Sequence, residues 1–275
     1  MKTVHLLANK GVIEDYFTAP IRFNKKALHE RGCKVKIFYE PSEKCISCDV
    51  LCLVSKPVLQ MLDEKNAVIR EPSPVLSLIN KARSYADKII WMDTSDSTSV
   101  THFELLPYVD LYLKKQLLAD RTLYQREFYG GRIFTEFYHR EFGIIDTNPF
   151  KQFYPLDMNL AHKVGLSWNI GMGDMYDAFS KKGAIRLRLA DFLPVSYKIG
   201  FIDPAGKRDM DVFLRTSSNL EREVVAFHRK ELIKRLNELS KNNPALNVSI
   251  QGKRLSLKDF RGMMKNCKIL PSPFK

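Results

Sequence analysis

Short apolar runs alternate with helix-like stretches through the first 113 residues. Val4–Ala8, Val35–Tyr39, Asp49–Val54, Ile89–Met92 and Val109–Leu113 are rich in aliphatic side chains and short enough to read as strands. Between them lie a helix-like stretch around Phe17–Arg31 that stops at Gly32, and shorter ones at Pro57–Leu62 and Val100–Leu106. Ser73-Pro74 is a strong helix start, because a hydroxyl cap precedes a proline whose missing N–H costs nothing at the first helical position. Val75, Ile79, Ala82 and Ala86 then recur at helical spacing. Strand and helix in repeated alternation predict a parallel α/β sheet.

The pattern lapses from Leu117 to Pro155, where ten aromatic side chains follow no clear period, and this stretch reads as a transition between domains. A second α/β pattern is expected from Val164–Trp168 onward, with strands at Tyr197–Ile202, Asp211–Arg215, Val248–Ile250 and Ile269–Leu270. One helix is expected over Leu220–Leu239, with Val225, Leu232, Leu236 and Leu239 on one side. Another is expected over Leu257–Asn266, with Ser256 as cap and Asp259 at the capping-box position. Two domains follow, 1–150 and 156–275, a division that suits 275 residues.

Charge narrows the choice of partners. Lysine and arginine exceed aspartate and glutamate by 44 − 31 = +13, which favours phosphate-bearing molecules, polyanions or an anionic membrane surface. Residues 253–275 carry seven basic side chains against Asp259 alone. They lack the signature of any common nucleic-acid module, so a solvated basic face is the simpler reading. Five cysteines, an odd number in a long chain, point away from a disulfide scaffold and towards a reducing, cytoplasmic setting. Cys45, Cys48 and Cys52 flank or enter an apolar run and have no second ligand pair at zinc spacing, which makes them buried small hydrophobes. Nothing approaches a membrane span, leaving peripheral contact, for instance with an inner membrane face, as the only membrane role open.

Three stretches carry candidate chemistry. Asp93 and Asp96 leave the strand Ile89–Met92 at the edge where parallel sheets collect ligands. Turn formation, a general-base role and metal binding are all open to them, with an Asx turn the commonest fate of such residues. Ser167–Asp174 also follows a strand, and Gly171 and Gly173 would let the backbone approach a diphosphate, although this is neither a dinucleotide fingerprint nor a P-loop. Arg215-Thr-Ser-Ser-Asn219 follows a strand and precedes the best helix, whose N-terminus, with Arg215 or Arg222 nearby, is a candidate phosphate site. Arg229 lies beside the apolar stripe of that helix, where it either reaches a phosphate or covers the core margin.

Taken in order, IIWMDTSDST, VDLYLKKQLLADRTLY, KVGLSWNIG, DVFLRTSSNLEREVVAFHRKELIKRL and LSLKDFRGMMKNCKILPSPF resemble segments of bacterial GT-B glycosyltransferases related to the exostosin-like group. The resemblance implies two facing Rossmann-like domains, with the acceptor on the N-terminal one and a nucleotide sugar on the C-terminal one. It implies transfer to a glycan or lipid-linked glycan without a bound metal or other cofactor, because basic groups offset the leaving diphosphate. Asn169, Gly171, Gly173, Arg215, Ser217 and Arg229 are then the donor-binding candidates, and Asp93 or Asp96 the base for an acceptor hydroxyl. The family continues past its Ser-Pro-Phe segment with glycine and an acidic residue. This chain ends at Lys275, directly after Ser272-Pro273-Phe274, so an incomplete C-terminal domain is expected. The rival expectation is a non-catalytic α/β protein whose basic surface binds nucleic acid or anionic lipid.

Overall fold

The computed structural model of the chain describes residues 1–9, 12–63, 69–95, 97–149, 153–168, 185, 188–190, 192–193, 206–216, 221–253 and 255–271, without the side chains of 12–16 and 257. The chain divides into two compact units, one of 1–127 with 152–200 and one of 128–151 with 201–275.

The first unit is a Rossmann-like α/β layer structure. Its strands are β1 (Lys2–Leu7), β2 (Cys33–Phe38), β3 (Cys48–Val54), β4 (Ala86–Asp93), β5 (Leu111–Lys114) and β6 (Val164–Leu166), all parallel, in the order β2-β1-β3-β4-β5-β6. Alternate side chains point to opposite faces, and both faces are apolar. One carries Leu7, Leu51, Leu53, Ile89, Trp91 and Tyr112 against α3 (Glu43–Ile46), α4 (Ser55–Met61) and α5 (Pro74–Arg83). The other carries Leu6, Cys52, Val54 and Met92 against Phe17 of α1 (Val12–Phe23) and against Trp168, whose ring stacks on Phe17 at 5.2 Å. A second short helix, α2 (Lys25–Glu30), follows α1. Burial on both faces explains why these strands read as continuous apolar runs.

Helix α5 starts where expected: the Ser73 hydroxyl accepts from the Val75 and Leu76 amides, with Pro74 at the first helical position. The cysteine reading also holds, since Cys45, Cys48 and Cys52 are buried. Burial pushes the Cys45 and Cys52 thiols up to about 12, far from reactive values. The expectation for Val164–Trp168 is corrected. Val164–Leu166 pairs with Tyr112–Lys114 and completes the first sheet instead of opening a second one.

The second unit is built on β7 (Met210–Arg215), β8 (Val248–Gln251) and β9 (Cys267–Ile269), parallel and in the order β8-β7-β9. Helix α7 (Glu223–Asn242) covers the Val212 and Leu214 face through Leu232, Ile233 and Leu236. Helix α8 (Leu257–Lys265) reaches the opposite face, where Phe260 meets Phe213. The Ser256 hydroxyl caps α8 by accepting from the Asp259 amide. The strand expected at Tyr197–Ile202 lies outside the described residues.

The aromatic stretch 128–149 belongs to this second unit, and it contains a helix that the sequence pattern did not announce, α6 (Ile133–Phe142). Contacts, not periodicity, organise it. The Tyr129 and His139 rings stack 3.8 Å apart, the Thr135 hydroxyl donates to backbone carbonyls, and Gly143 ends the helix at φ +65. Beyond it, the buried Asp146 carboxylate accepts from the Val224 amide at 2.8 Å and from Arg222 at 3.2 Å, which caps α7 from a point 78 residues away in sequence. Asp146→Ala leaves that helix end and Arg222 without their acceptor. We expect a loss of about 2–3 kcal/mol, read from urea denaturation, with Asp146→Asn losing less.

Candidate functional site

In the first unit the strand order reverses between β1 and β3, so the crevice at their carboxyl ends is where an open α/β sheet binds ligands. The polar residues leaving the sheet there interlock. The Ser55 hydroxyl, at the start of α4, lies 3.1 Å from the Thr94 hydroxyl and accepts from the Thr94 amide at 2.9 Å.

Asp93 is the last residue of β4, opposite Lys114 of β5. Neither side chain is exposed at all, and the Lys114 ammonium donates to Asp93 Oδ2 at 3.1 Å and to the Val100 carbonyl at 2.8 Å. The Tyr112 hydroxyl also donates to Oδ2, while the Ser95 amide donates to Oδ1 at 2.8 Å and closes an Asx turn. Burial alone would raise the Asp93 pKa, but Lys114, His102, the Tyr112 hydroxyl and the Ser95 amide together hold it below the usual carboxylate range. The Tyr112 phenol is pushed well above its ordinary value by burial and by the Asp93 charge. The expectation of Asp93 as a general base is therefore corrected, because it is sealed from solvent and its basicity is depressed. Asp96 lies outside the described residues.

Sequence reasoning missed the partners that make this arrangement. His102 is buried, with Nδ1 3.1 Å from Glu104 Oε1, and its amide donates to the Tyr112 hydroxyl. Glu104 Oε1 also accepts from the Ile69 amide, whereas Oε2 is buried without a partner among the described residues. Only the apolar run ending in Leu113-Lys-Lys115 hinted that a lysine leaves β5 beside the acid leaving β4.

In the second unit β7 ends in Arg215, which is exposed, followed by Thr216, which is 3% exposed. The Thr216 amide extends the ladder to the Gln251 carbonyl, but its hydroxyl is buried without a partner among the described residues. Arg229, half-buried on α7, feels the charge of Arg215. Burial first and the Arg215 charge second lower its pKa. His228 is depressed likewise, by burial and by Arg229, and its Nδ1 meets the Tyr138 hydroxyl at 2.8 Å. The effect of Arg215 on Arg229 is repulsion between two guanidinium charges, one at the carboxyl end of β7 and the other on α7.

The helix N-terminus expected to hold a phosphate beside these arginines is corrected. Helix α7 starts at Glu223, and Asp146 takes the Val224 amide while Glu223 bonds the Thr147 amide at 3.0 Å. Arg222 pairs with Asp146 and donates to the Gly130 carbonyl. A carboxylate of the protein already occupies that end. Asn169, Gly171, Gly173 and Ser217 lie outside the described residues.

Among the described residues no cluster of His, Cys, Asp and Glu could hold a metal ion, and no helix is long and apolar enough to cross a membrane. No protein-family model matches the sequence, and no curated protein or solved structure matches it significantly.

The Asp93–Lys114 pair sets a stability expectation. Asp93→Asn strands a buried ammonium and should cost about 3–5 kcal/mol in chemical denaturation, whereas Asp93→Asn with Lys114→Met should cost less than the single change. Because the native pKa of Asp93 is depressed, its contribution is complete above the unfolded value of about 3.9 and is lost as pH falls through the lower native value. Denaturation midpoints measured from pH 6 down to pH 2 should therefore flatten in the Asp93→Asn variant relative to the parent.

Proposed function

We propose that this chain is a glycosyltransferase that passes a sugar from a nucleotide-sugar donor to a glycan or lipid-linked glycan acceptor, with Arg215 and Arg229 holding the donor's diphosphate. The observation that carries the reading is the positive charge of Arg215 at the end of β7 acting on Arg229 of α7, with a Thr216 hydroxyl that has no partner among the described residues. A leaving nucleoside diphosphate gains negative charge as the bond from the anomeric carbon to the phosphate oxygen breaks. Guanidinium groups already in place would stabilise that charge more in the transition state than in the ground state. The parallel sheets and the ordered resemblance to GT-B segments support the same reading. On the acceptor side Asp96 keeps the base role in this proposal, since the Asp93 carboxylate is committed to Lys114.

The test is isothermal titration with UDP and GDP, with inorganic phosphate and heparin as comparison ligands. Arg215→Ala and Arg229→Ala should each weaken nucleoside-diphosphate binding by about 10- to 100-fold, as expected for loss of a charge-assisted hydrogen bond. Arg229→Lys should recover only part, because an ammonium cannot make the bidentate contact. Failure of every nucleoside diphosphate to bind overturns the proposal. Salt-sensitive binding to heparin or DNA that ignores both arginine changes would mark a basic binding protein instead.

A further inference from the structure

A groove of about 750 Å³ lies over β2 in the first unit, lined also by Thr3 and His5 of β1, by Ser47 and by Phe192. It follows the consecutive residues Val35–Tyr39, a length of about 16 Å at the usual strand rise. Strand β2 pairs only with β1, so its other edge has no strand beside it among the described residues. The Lys2 and Ala8 amides donate to the Gly32 and Phe38 carbonyls, which turns the even-numbered residues of β2 inward. By alternation, the amide and carbonyl groups of Val35 and Ile37 point outward along the groove.

Its charge is one-sided. Lys36 lies on β2, Lys25 at the start of α2 and Lys44 on α3, and no aspartate or glutamate among the described residues lines the groove. Lys36 and Lys44 make no ion pair among the described residues. Lysines on an edge strand commonly guard it against stray pairing. Here two of the three come from helices, α2 and α3, and line the same groove, beyond what a guard on the strand itself requires.

We propose that the outer edge of β2 is a docking site for an extended acidic peptide segment of a partner protein, which adds to the sheet as a further strand. Backbone bonds to Val35 and Ile37 would supply the pairing and the lysines the preference for acidic side chains. The inference does not rest on glycosyl transfer, and its failure leaves that reading untouched.

The test uses the full chain and a fluorescein-labelled short peptide alternating glutamate with valine. Controls are the same peptide N-methylated at alternate amides, a version with lysine for glutamate, short single-stranded DNA and a heparin oligosaccharide. The acidic peptide should bind saturably by anisotropy and slow hydrogen exchange at the Val35 and Ile37 amides, while the N-methylated and lysine versions should not. Lys36→Glu combined with Lys44→Glu should weaken binding about tenfold or more without altering the melting temperature, because both side chains are exposed. Absence of saturable peptide binding, equal binding of the N-methylated peptide, or lysine-dependent binding of DNA or heparin alone would each overturn the proposal.

Discussion

A lysine with no solvent exposure is affordable only beside an equally buried counter-charge, and the Asp93–Lys114 pair meets that demand at the carboxyl edge of the first sheet. The residues lie opposite each other in register, so their attraction also opposes any slip of β5 along β4. The surrounding loop is arranged to complete them. The Val100 carbonyl takes a second ammonium proton, and the Tyr112 hydroxyl relays from the His102 amide to the carboxylate. The polar end of the sheet is thus rigid where ligands of such folds collect, and Ser55 and Thr94 are held beside it.

The second unit treats charge in the opposite way. Burial first and the Arg215 charge second lower the pKa of Arg229 on α7. Electrostatic strain of this kind tends to gather where a ligand relieves it. The buried acid and base of the first unit complete each other, whereas in the second the Arg215 side chain stands exposed at the end of β7.

Most of the first sheet was legible because strands buried on both faces leave dense apolar runs, and because Ser73-Pro74 is a chemical start signal that tertiary context had no reason to override. Helix α6 was not legible, since its order comes from Tyr129 stacking on His139 and from Asp146 reaching the Val224 amide, contacts without a sequence period. The membership of β6 was hidden for a related reason: the chain passes through the second unit between β5 and β6, so sequence order is a poor guide to sheet order. Arg215 and Arg229 could be singled out from their places after a strand and beside an apolar stripe. The burial of Asp93 could not, because it depends on Lys114, 21 residues later.

The reach of Asp146 to the first turn of α7 bears on synthesis. At ribosomal speeds of about 5–20 residues per second, the 78 residues that separate carboxylate from amide take on the order of 4–16 s to emerge. Throughout that delay, freshly translated α6 displays Tyr138 and Phe142 before Phe227 of α7, which both rings meet in the folded unit, has been made. The nascent protein is therefore most open to chaperone capture in the interval between the synthesis of α6 and that of α7.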